Sequence, residues 1–502
     1  MDVSSLLQRF ASAKAKRGIW ESHWQECYDY ALPHGGGFGR GGNPGERKTD
    51  RLFDGTAADA VEQLAASLLA QLTPPWSRWF GLMPGPDLSE AERDTVAPLL
   101  EKAAATLQSH FDRSNFAVEM HQCYLDLVTA GTACLLFEEA PPGDYSSFRF
   151  TAVPLVEAVL EEGADGRLDG TFRRSELTLA QLRLRFPDAA IGPAMEREAV
   201  QDPQARFGVV EAVLKDGPVY RYTVILDSGN AEDEVLAEGR FARSPFINFR
   251  WLKAPGEIYG RSPVMKTLPD IKTANKVVEL VLKNASIAVT GIWLADDDGV
   301  LNPANIKLVP GSIIPKAPGS AGLTPLQAPG RFDVSELVLS DLRARIRHTL
   351  LVDRLAPIDG PRMTATEVAE RSTQTGRLLG AVYGRLQSEL LNPLLGRAVA
   401  ILRRRGEIPE LALDGRTAEL QWRSPLARAQ ARDDVSNTLL WLERVGQLGP
   451  EAKAVIDPRA AARWLARMLG VPGELVREDV VLAENLESGL LQLLSLEAGH
   501  AR

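Results

Sequence analysis

Residues 262–288, SPVMKTLPDIKTANKVVELVLKNASIA, and residues 334–355, VSELVLSDLRARIRHTLLVDRL, each space their apolar positions three to four apart, which predicts two helices. The residues between them are of another kind. Positions 289–332 hold short strand-like runs, the acidic turn Asp296-Asp297-Asp298-Gly299 and many Pro and Gly. Two long helices around such an insert predict a helical hairpin with an elaborated tip, and the rest of the chain is read outward from it.

On the N-terminal side the pattern is first helical, then β. Val3 to Ala31 sets Leu6, Leu7, Phe10, Trp20, Trp24, Cys27 and Tyr28 on one face, and Pro33 ends it. A Gly-rich loop, His34 to Gly45, follows. Thr56 to Leu72 carries one apolar stripe and stops at Thr73-Pro74-Pro75. Ser89-x-x-Glu92 is a capping box opening a helix to about Phe111, and a further helix runs from about Asn115 to Ala130. From Thr132 the character changes. Thr132–Glu138, Phe148–Leu155, Val156–Glu161, Leu168–Arg173, Gly208–Leu214, Val219–Asp227 and Phe246–Trp251 read as strands, with a short helix at Leu179–Phe186. Residues 132–261 thus predict a β-rich unit between helical parts, and the fold class is α+β, predominantly α-helical.

On the C-terminal side Pro357 to Arg362 breaks the chain. Thr364-x-x-Glu367 caps a helix of about 40 residues that ends at Arg405, with Pro393 expected to kink it. Gly376, Gly380 and Gly384 recur on one face of that helix. Each costs about 1 kcal/mol relative to Ala, so the face suits a close backbone approach, within the chain or between subunits. The tail, 406–502, is mostly helical, with Asp457-Pro458 as a helix start and Gly470-Val471-Pro472 as a stop.

The 502 residues predict several domains, and 45% hydrophobic with 25% charged residues is ordinary globular composition. The net charge of −9 argues against a protein that grips phosphates tightly. Cys27, Cys123 and Cys134 make no disulfide framework and no C-x-x-C pair, which points to a reducing compartment without structural zinc. The N-terminus does not read as a signal peptide, and the most apolar window, Val277 to Ala295, carries Glu279, Lys283 and Asn284, unlike a membrane span.

Catalytic signals are nearly absent, and no catalytic residue, metal site or cofactor is expected. The Gly-rich loop lacks Gly-Lys-Ser/Thr and follows a helix, so it is no P-loop. The histidines, His110 and His121 among them, form no ligand pattern. Asp296, Asp297 and Asp298 lack the spacing of a calcium loop and make either a solvated turn or an acidic contact surface. Lys272, Lys276 and Lys283 fall on one helical stripe, either a solvated face or a sparse positive row looking toward something anionic. Arg343, Arg345 and Arg347 are offset by Asp333, Glu336, Asp341 and Asp353, with Asp341 placed to pair with Arg345. Arg403-Arg404-Arg405 suits a helix C-terminus.

Local phrases add to this. Trp20-x-x-x-Trp24 leads to Tyr30-Ala-Leu-Pro33, Asp54-Gly-Thr-Ala57 and Leu72-Thr-Pro-Pro75 with Trp79-Phe80. Tyr259-Gly-Arg-Ser-Pro263 leads into Leu268-Pro-Asp-Ile271. Then come Met363-Thr-Ala-Thr-Glu-Val368, Leu386-Gln-x-Glu-Leu-Leu-x-Pro393, Ser424-Pro-Leu-Ala-Arg-Ala-Gln430 and Gly470-Val-Pro472. In this order the chain resembles, over nearly its whole length, the portal proteins (head–tail connectors) of short-tailed bacteriophages.

The resemblance implies a ring, usually of twelve subunits, at one capsid vertex, with double-stranded DNA passing through its channel without sequence preference. It implies that residues 1–131 are the helical part of a wing and 132–261 its β-rich subdomain. Residues 262–288 and 333–355 would be the stem helices, 289–332 the clip, and 356–363 a tunnel loop with Arg354, Asp359 and Arg362 at the narrowest passage. Residues 364–405 would be the long wing helix and 406–502 the crown. The partners implied are the terminase large subunit, tail adaptor and nozzle proteins, and the major capsid and scaffolding proteins. The setting implied is the virion, after assembly in the host cytoplasm, with no membrane. Two other readings compete: a phosphate- or nucleotide-binding enzyme using the Gly-rich loop, and a different head–tail adaptor ring.

Overall fold

The computed structural model describes residues 3–35, 37–38, 48–227, 235–290, 293–295, 323–325, 332–352, 380–409, 415–423, 425–448, 455–469 and 471. Helix α1 (Val3–Ala31) buries its two halves in different cores. Leu6, Phe10 and Ala13 pack on Phe172, Val210, Ala212 and Ile225, whereas Trp24, Cys27, Tyr28 and Ala31 enter the main core. Between the two sits Arg17, only 5% exposed. It donates to the carbonyls of Val156 and Ala158 at 2.9 Å each and to Glu21 at 2.9 Å. A guanidinium can be buried there because its several donors all find acceptors.

The main core is closed by α2 (Thr56–Leu72), α3 (Glu90–Arg113) and α4 (Phe116–Ala130). The expected capping box opens α3, with Ser89 and Glu92 bonding reciprocally. Against these helices lies a three-stranded antiparallel sheet, ordered β3 (Phe148–Val153), β2 (Thr132–Glu139), β9 (Phe246–Arg250). Phe111, Phe116, Phe137, Phe148 and Phe150 interlock between helix and sheet in edge-to-face, tilted and stacked pairs, with centroids 4.4–6.3 Å apart.

The β-rich region divides into two sheets. The second is an antiparallel meander of β4 (Ala158–Glu161), β5 (Gly170–Thr178), β6 (Arg206–Asp216), β7 (Val219–Leu226) and β8 (Val235–Phe241). One face rests on α1 and the other on α5 (Leu179–Arg185) and α6 (Pro193–Gln201). A polar bond joins the two sheets: Asn248 Nδ2 donates to Thr171 Oγ1 at 2.6 Å.

Strand β1 (Phe80–Pro84) pairs with β12 (Ala418–Trp422), Phe80 opposite Trp422 and Pro84 opposite Ala418. Trp79 stacks on Trp422 at 6.4 Å. The tail, expected to be mostly helical, thus also holds a strand woven into the N-terminal body, and helices α10 (Pro425–Gln447) and α11 (Pro458–Leu469) follow it. Asp457 caps α11 as expected, accepting from the N–H groups of Arg459 and Ala460.

The helix expected around Pro393 is handled differently from a simple kink. Residues 380–386 are helical, Gln387–Leu391 form a π turn, and α9 (Asn392–Arg404) continues beyond. The Asn392 N–H reaches back to the Gln387 carbonyl. Pro393 brings no N–H and crowds the turn before it, and one wide turn relieves both. The start of that helix, 364–379, lies outside the described residues.

Candidate functional site

Helix α7 (Pro263–Thr290) starts at a dense junction that explains the Tyr259-Gly-Arg-Ser-Pro263 phrase. Tyr259 is buried, its ring edge-on to Trp24 at 4.9 Å and its hydroxyl accepting from the Leu160 N–H. Gly131 ends α4 at φ +79°, and Gly260 faces it so closely that a Cβ there would sit 2.1 Å from the Gly131 carbonyl oxygen. Glycine is required at both places. Arg261 lies over the Trp20 ring at 5.1 Å. Ser262 Oγ donates to the Thr129 carbonyl at 2.8 Å and accepts from the Met265 N–H at 2.9 Å, capping α7. Pro263 takes the first helical position, where its missing N–H costs nothing.

The chain leaves the body along α7 and returns along α8 (Phe332–Thr349), the two packed together. Beyond α7, β10 (Trp293–Ala295) and β11 (Leu323–Pro325) pair antiparallel, so the hairpin with short strands at its tip is present. Helix α8 stops at Thr349, short of 355. Leu351 there adopts φ +59°, a left-handed conformation that ends a helix.

The base of the hairpin is buried. Ile271, Ala274, Leu342, Ile346 and Leu350 belong to the main core. Polar contacts fasten it further. Arg343 donates to Asp54 through Nε and a terminal nitrogen, each at 2.9 Å. Asn275 Oδ1 accepts from the Phe53 and Asp54 N–H groups at 2.6 and 3.1 Å, and its amide donates to the Arg51 carbonyl at 3.0 Å. Burial works against the Asp54 charge, but its bonds with Thr56 and Arg343 outweigh that and hold the carboxyl below its ordinary value. Arg345 grips Asp270 of α7 at 2.8 and 2.9 Å, in place of the expected Asp341 within α8. One terminal nitrogen of Arg345 reaches both carboxylate oxygens, so the pair ties the two helices of the hairpin together.

Away from the base the hairpin turns outward. Leu280 (54%), Leu282 (53%), Leu337 (72%) and Val338 (44%) are exposed. The lysine stripe lies here too, and it is compensated. Lys276 and Lys283 both pair with Glu279, at 2.9 and 2.5 Å, and Lys272 with Glu26 of α1 at 3.2 Å. These contacts hold the Glu279 carboxyl below its ordinary value.

The other expected residues fall as follows. Asp296, Asp297, Asp298, Arg354, Asp359, Arg362 and Gly376 lie outside the described residues. Gly380 and Gly384 are helical, but no described atom lies within 4 Å of where a Cβ would sit on either, so among the described residues the close approach within the chain is not made. Arg404 and Arg405 pair with Glu139, which ties the end of α9 to β2.

Ser147, His110 and Glu407 meet, but as a clamp. Ser147 Oγ donates to Glu407 at 2.9 Å, His110 Nε2 bonds the other oxygen at 2.7 Å, and His110 Nδ1 accepts from the Ser147 N–H at 3.1 Å. The serine oxygen bonds the carboxylate rather than the imidazole, so the three are not in the serine–imidazole–carboxylate order of a catalytic triad. Among the described residues no group of His, Cys, Asp and Glu is arranged to hold a metal ion, and no described helix is long and apolar enough to cross a membrane.

Asp54 and Asn275 were not singled out by residue type. The one signal for Asp54 was its place in Asp54-Gly-Thr-Ala57, directly ahead of α2.

The chain is 27% identical over 497 residues to the probable portal protein of Bordetella phage BPP-1, covering 94% of this chain and 88% of that one. It is 25% identical to the portal protein of Salmonella phage epsilon15 (95% and 89% covered) and 23% identical to that of Escherichia phage T7 (79% and 74%). Among solved structures, a chain from the neck of an empty gene transfer agent particle matches at 14% identity and TM-score 0.39, covering 85% of this chain and 95% of that one, a score that carries no argument. The model of the bacteriophage head to tail connecting proteins matches residues 3–476, and the chain belongs to that family.

Proposed function

We propose that this portal-type chain assembles, twelve copies to a ring, at one vertex of a phage capsid and conducts double-stranded DNA during packaging and ejection. The observation that carries this reading is the hairpin, with its base locked into the body and Leu280, Leu282, Leu337 and Val338 left uncovered further out. Exposed apolar residues on a projecting hairpin suit burial against a neighbour. A ring closes when each copy offers two different faces related by a fixed rotation.

In this reading α7 and α8 form the stem. Residues 289–332, with Asp296 to Asp298, form the clip that docks the terminase large subunit and later the tail proteins. Arg354, Asp359 and Arg362 flank the tunnel loop, and the Gly376/Gly380/Gly384 face packs between subunits. The chain itself performs no chemistry; the motor supplies the work. Twelve copies carry a net charge of −108, which leaves the passing phosphates no deep electrostatic well. The compensated Lys272, Lys276 and Lys283 stripe agrees with a wall that does not hold DNA.

Capsids assembled with and without the chain, then given terminase, ATP and linear DNA, test the reading. Nuclease-protected DNA should appear only with the chain. Equal protection in its absence would refute the proposal.

A further inference from the structure

Three segments distant in sequence converge where the hairpin leaves the body. They are Arg51–Asp54 ahead of α2, Asn275 in the middle of α7, and Arg343 on α8. Asn275 is 6% exposed and uses both ends of its amide on the Arg51–Asp54 backbone. Asp54, 4% exposed, divides its oxygens. Oδ1 accepts from the Thr56 N–H at 3.0 Å, and Oδ2 takes both Arg343 donors. One short stretch of the body thus fixes both helices of the hairpin at once. Apart from the Ser262–Thr129 bond at the start of α7 and the solvent-exposed Lys272–Glu26 pair, the remaining anchorage is apolar, and apolar contact is non-directional, so it resists separation better than tilt. Directional bonds at this node are what set the angle of the hairpin against the body.

We propose that the Asp54–Asn275–Arg343 node is the positioning element that sets the closure angle of the ring, and so the number of subunits. The inference rests on the ring reading above. A heterologous ring of twelve needs a rotation of about 30° per copy, and a ring of thirteen about 28°. A change of about 2° in the angle between hairpin and body therefore shifts closure by one subunit. The Arg345–Asp270 pair lies within the hairpin and cannot set this angle, although it is on the same helix and of the same chemistry.

Asp54→Asn isolates the node. The asparagine oxygen still accepts from Thr56, but its amide meets Arg343 as donor against donor. Arg343→Gln removes the cation from a side chain 43% exposed, and its melting temperature shows whether the subunit stays folded without it. Arg343→Lys keeps the charge and is the conservative rescue, and Arg345→Gln is the control. The readouts are the distribution of ring sizes, counted from axial class averages and native mass, and the melting temperature of each protein. The wild type and Arg345→Gln should give one dominant size. Asp54→Asn and Arg343→Gln should move a large share of rings by one or more subunits, and Arg343→Lys should move fewer. Identical distributions in all the proteins overturn this assignment alone. A wild type that forms no ring, even with scaffolding protein supplied, overturns the ring reading itself.

Discussion

Arg250 and Glu389, 139 residues apart, are joined by three donors. The Arg250 backbone N–H reaches the carboxylate at 3.0 Å, Nε at 3.2 Å and a terminal nitrogen at 2.6 Å. Glu389 sits inside the π turn before Pro393, so the wide turn is also where the long helix is bolted to β9. Arg250 is 1% exposed and gives its remaining donors to Glu162 and to the Ile258 and Gly166 carbonyls. Arg250→Met should cost about 3–5 kcal/mol, because it strands buried acceptors and a carboxylate. Urea unfolding of the subunit checks this, and a loss below about 1 kcal/mol would show that the bolt is not holding.

Asp126 carries a different prediction. Burial pushes its carboxyl from 3.8 up to about 6, against a bond from the Tyr28 hydroxyl at 2.7 Å that favours the charge. The folded protein therefore keeps a proton that the unfolded chain releases at lower pH. Stability should fall as pH rises from about 4 to about 6 and level off above. Asp126→Asn keeps the acceptor for Tyr28 and removes the charge. It should stabilise the protein by about 3 kcal/mol at pH 7.5 and have no effect near pH 4. Melting curves at the two pH values decide it, and an equal effect at both would refute the account.

The hairpin surface is tested by Leu280→Glu with Leu337→Glu. Both side chains are more than half exposed, so the isolated subunit should change by less than about 0.5 kcal/mol. Ring assembly should be lost. Rings at wild-type yield would remove the hairpin from the subunit interface.

Replacing Asp359 and Arg362 with Ala should leave rings intact but change how much packaged DNA is retained. Normal packaging and retention in that double variant would withdraw both residues from the channel.

Much of the fold was legible where local signals were strong. Helix α2 has the expected bounds because its stripe ends at Thr73-Pro74-Pro75, and the Ser89/Glu92 box marks the start of α3. The hairpin was legible because two periodic runs flank an aperiodic one. Strand β1 was missed because its partner, β12, lies more than 330 residues away and each strand has five residues. Strand β8 and helix α6 are short and were passed over for the same want of a local pattern. At the site, the helices were readable but their fastenings were not. Arg345 had an acid within one turn on its own helix, yet it pairs across to Asp270. Asn275 draws its meaning from the Phe53 N–H and Asp54 from the Arg343 guanidinium, partners that only the folded chain brings within reach.

The central claim is that this chain closes into a ring with an open axis. The particle mass of the purified protein, taken together with class averages viewed down that axis, tests it most directly. Twelve copies of 54.7 kDa predict about 656 kDa and a central opening wide enough for a DNA duplex. A monomer or dimer at every concentration, even with scaffolding protein supplied, would contradict it.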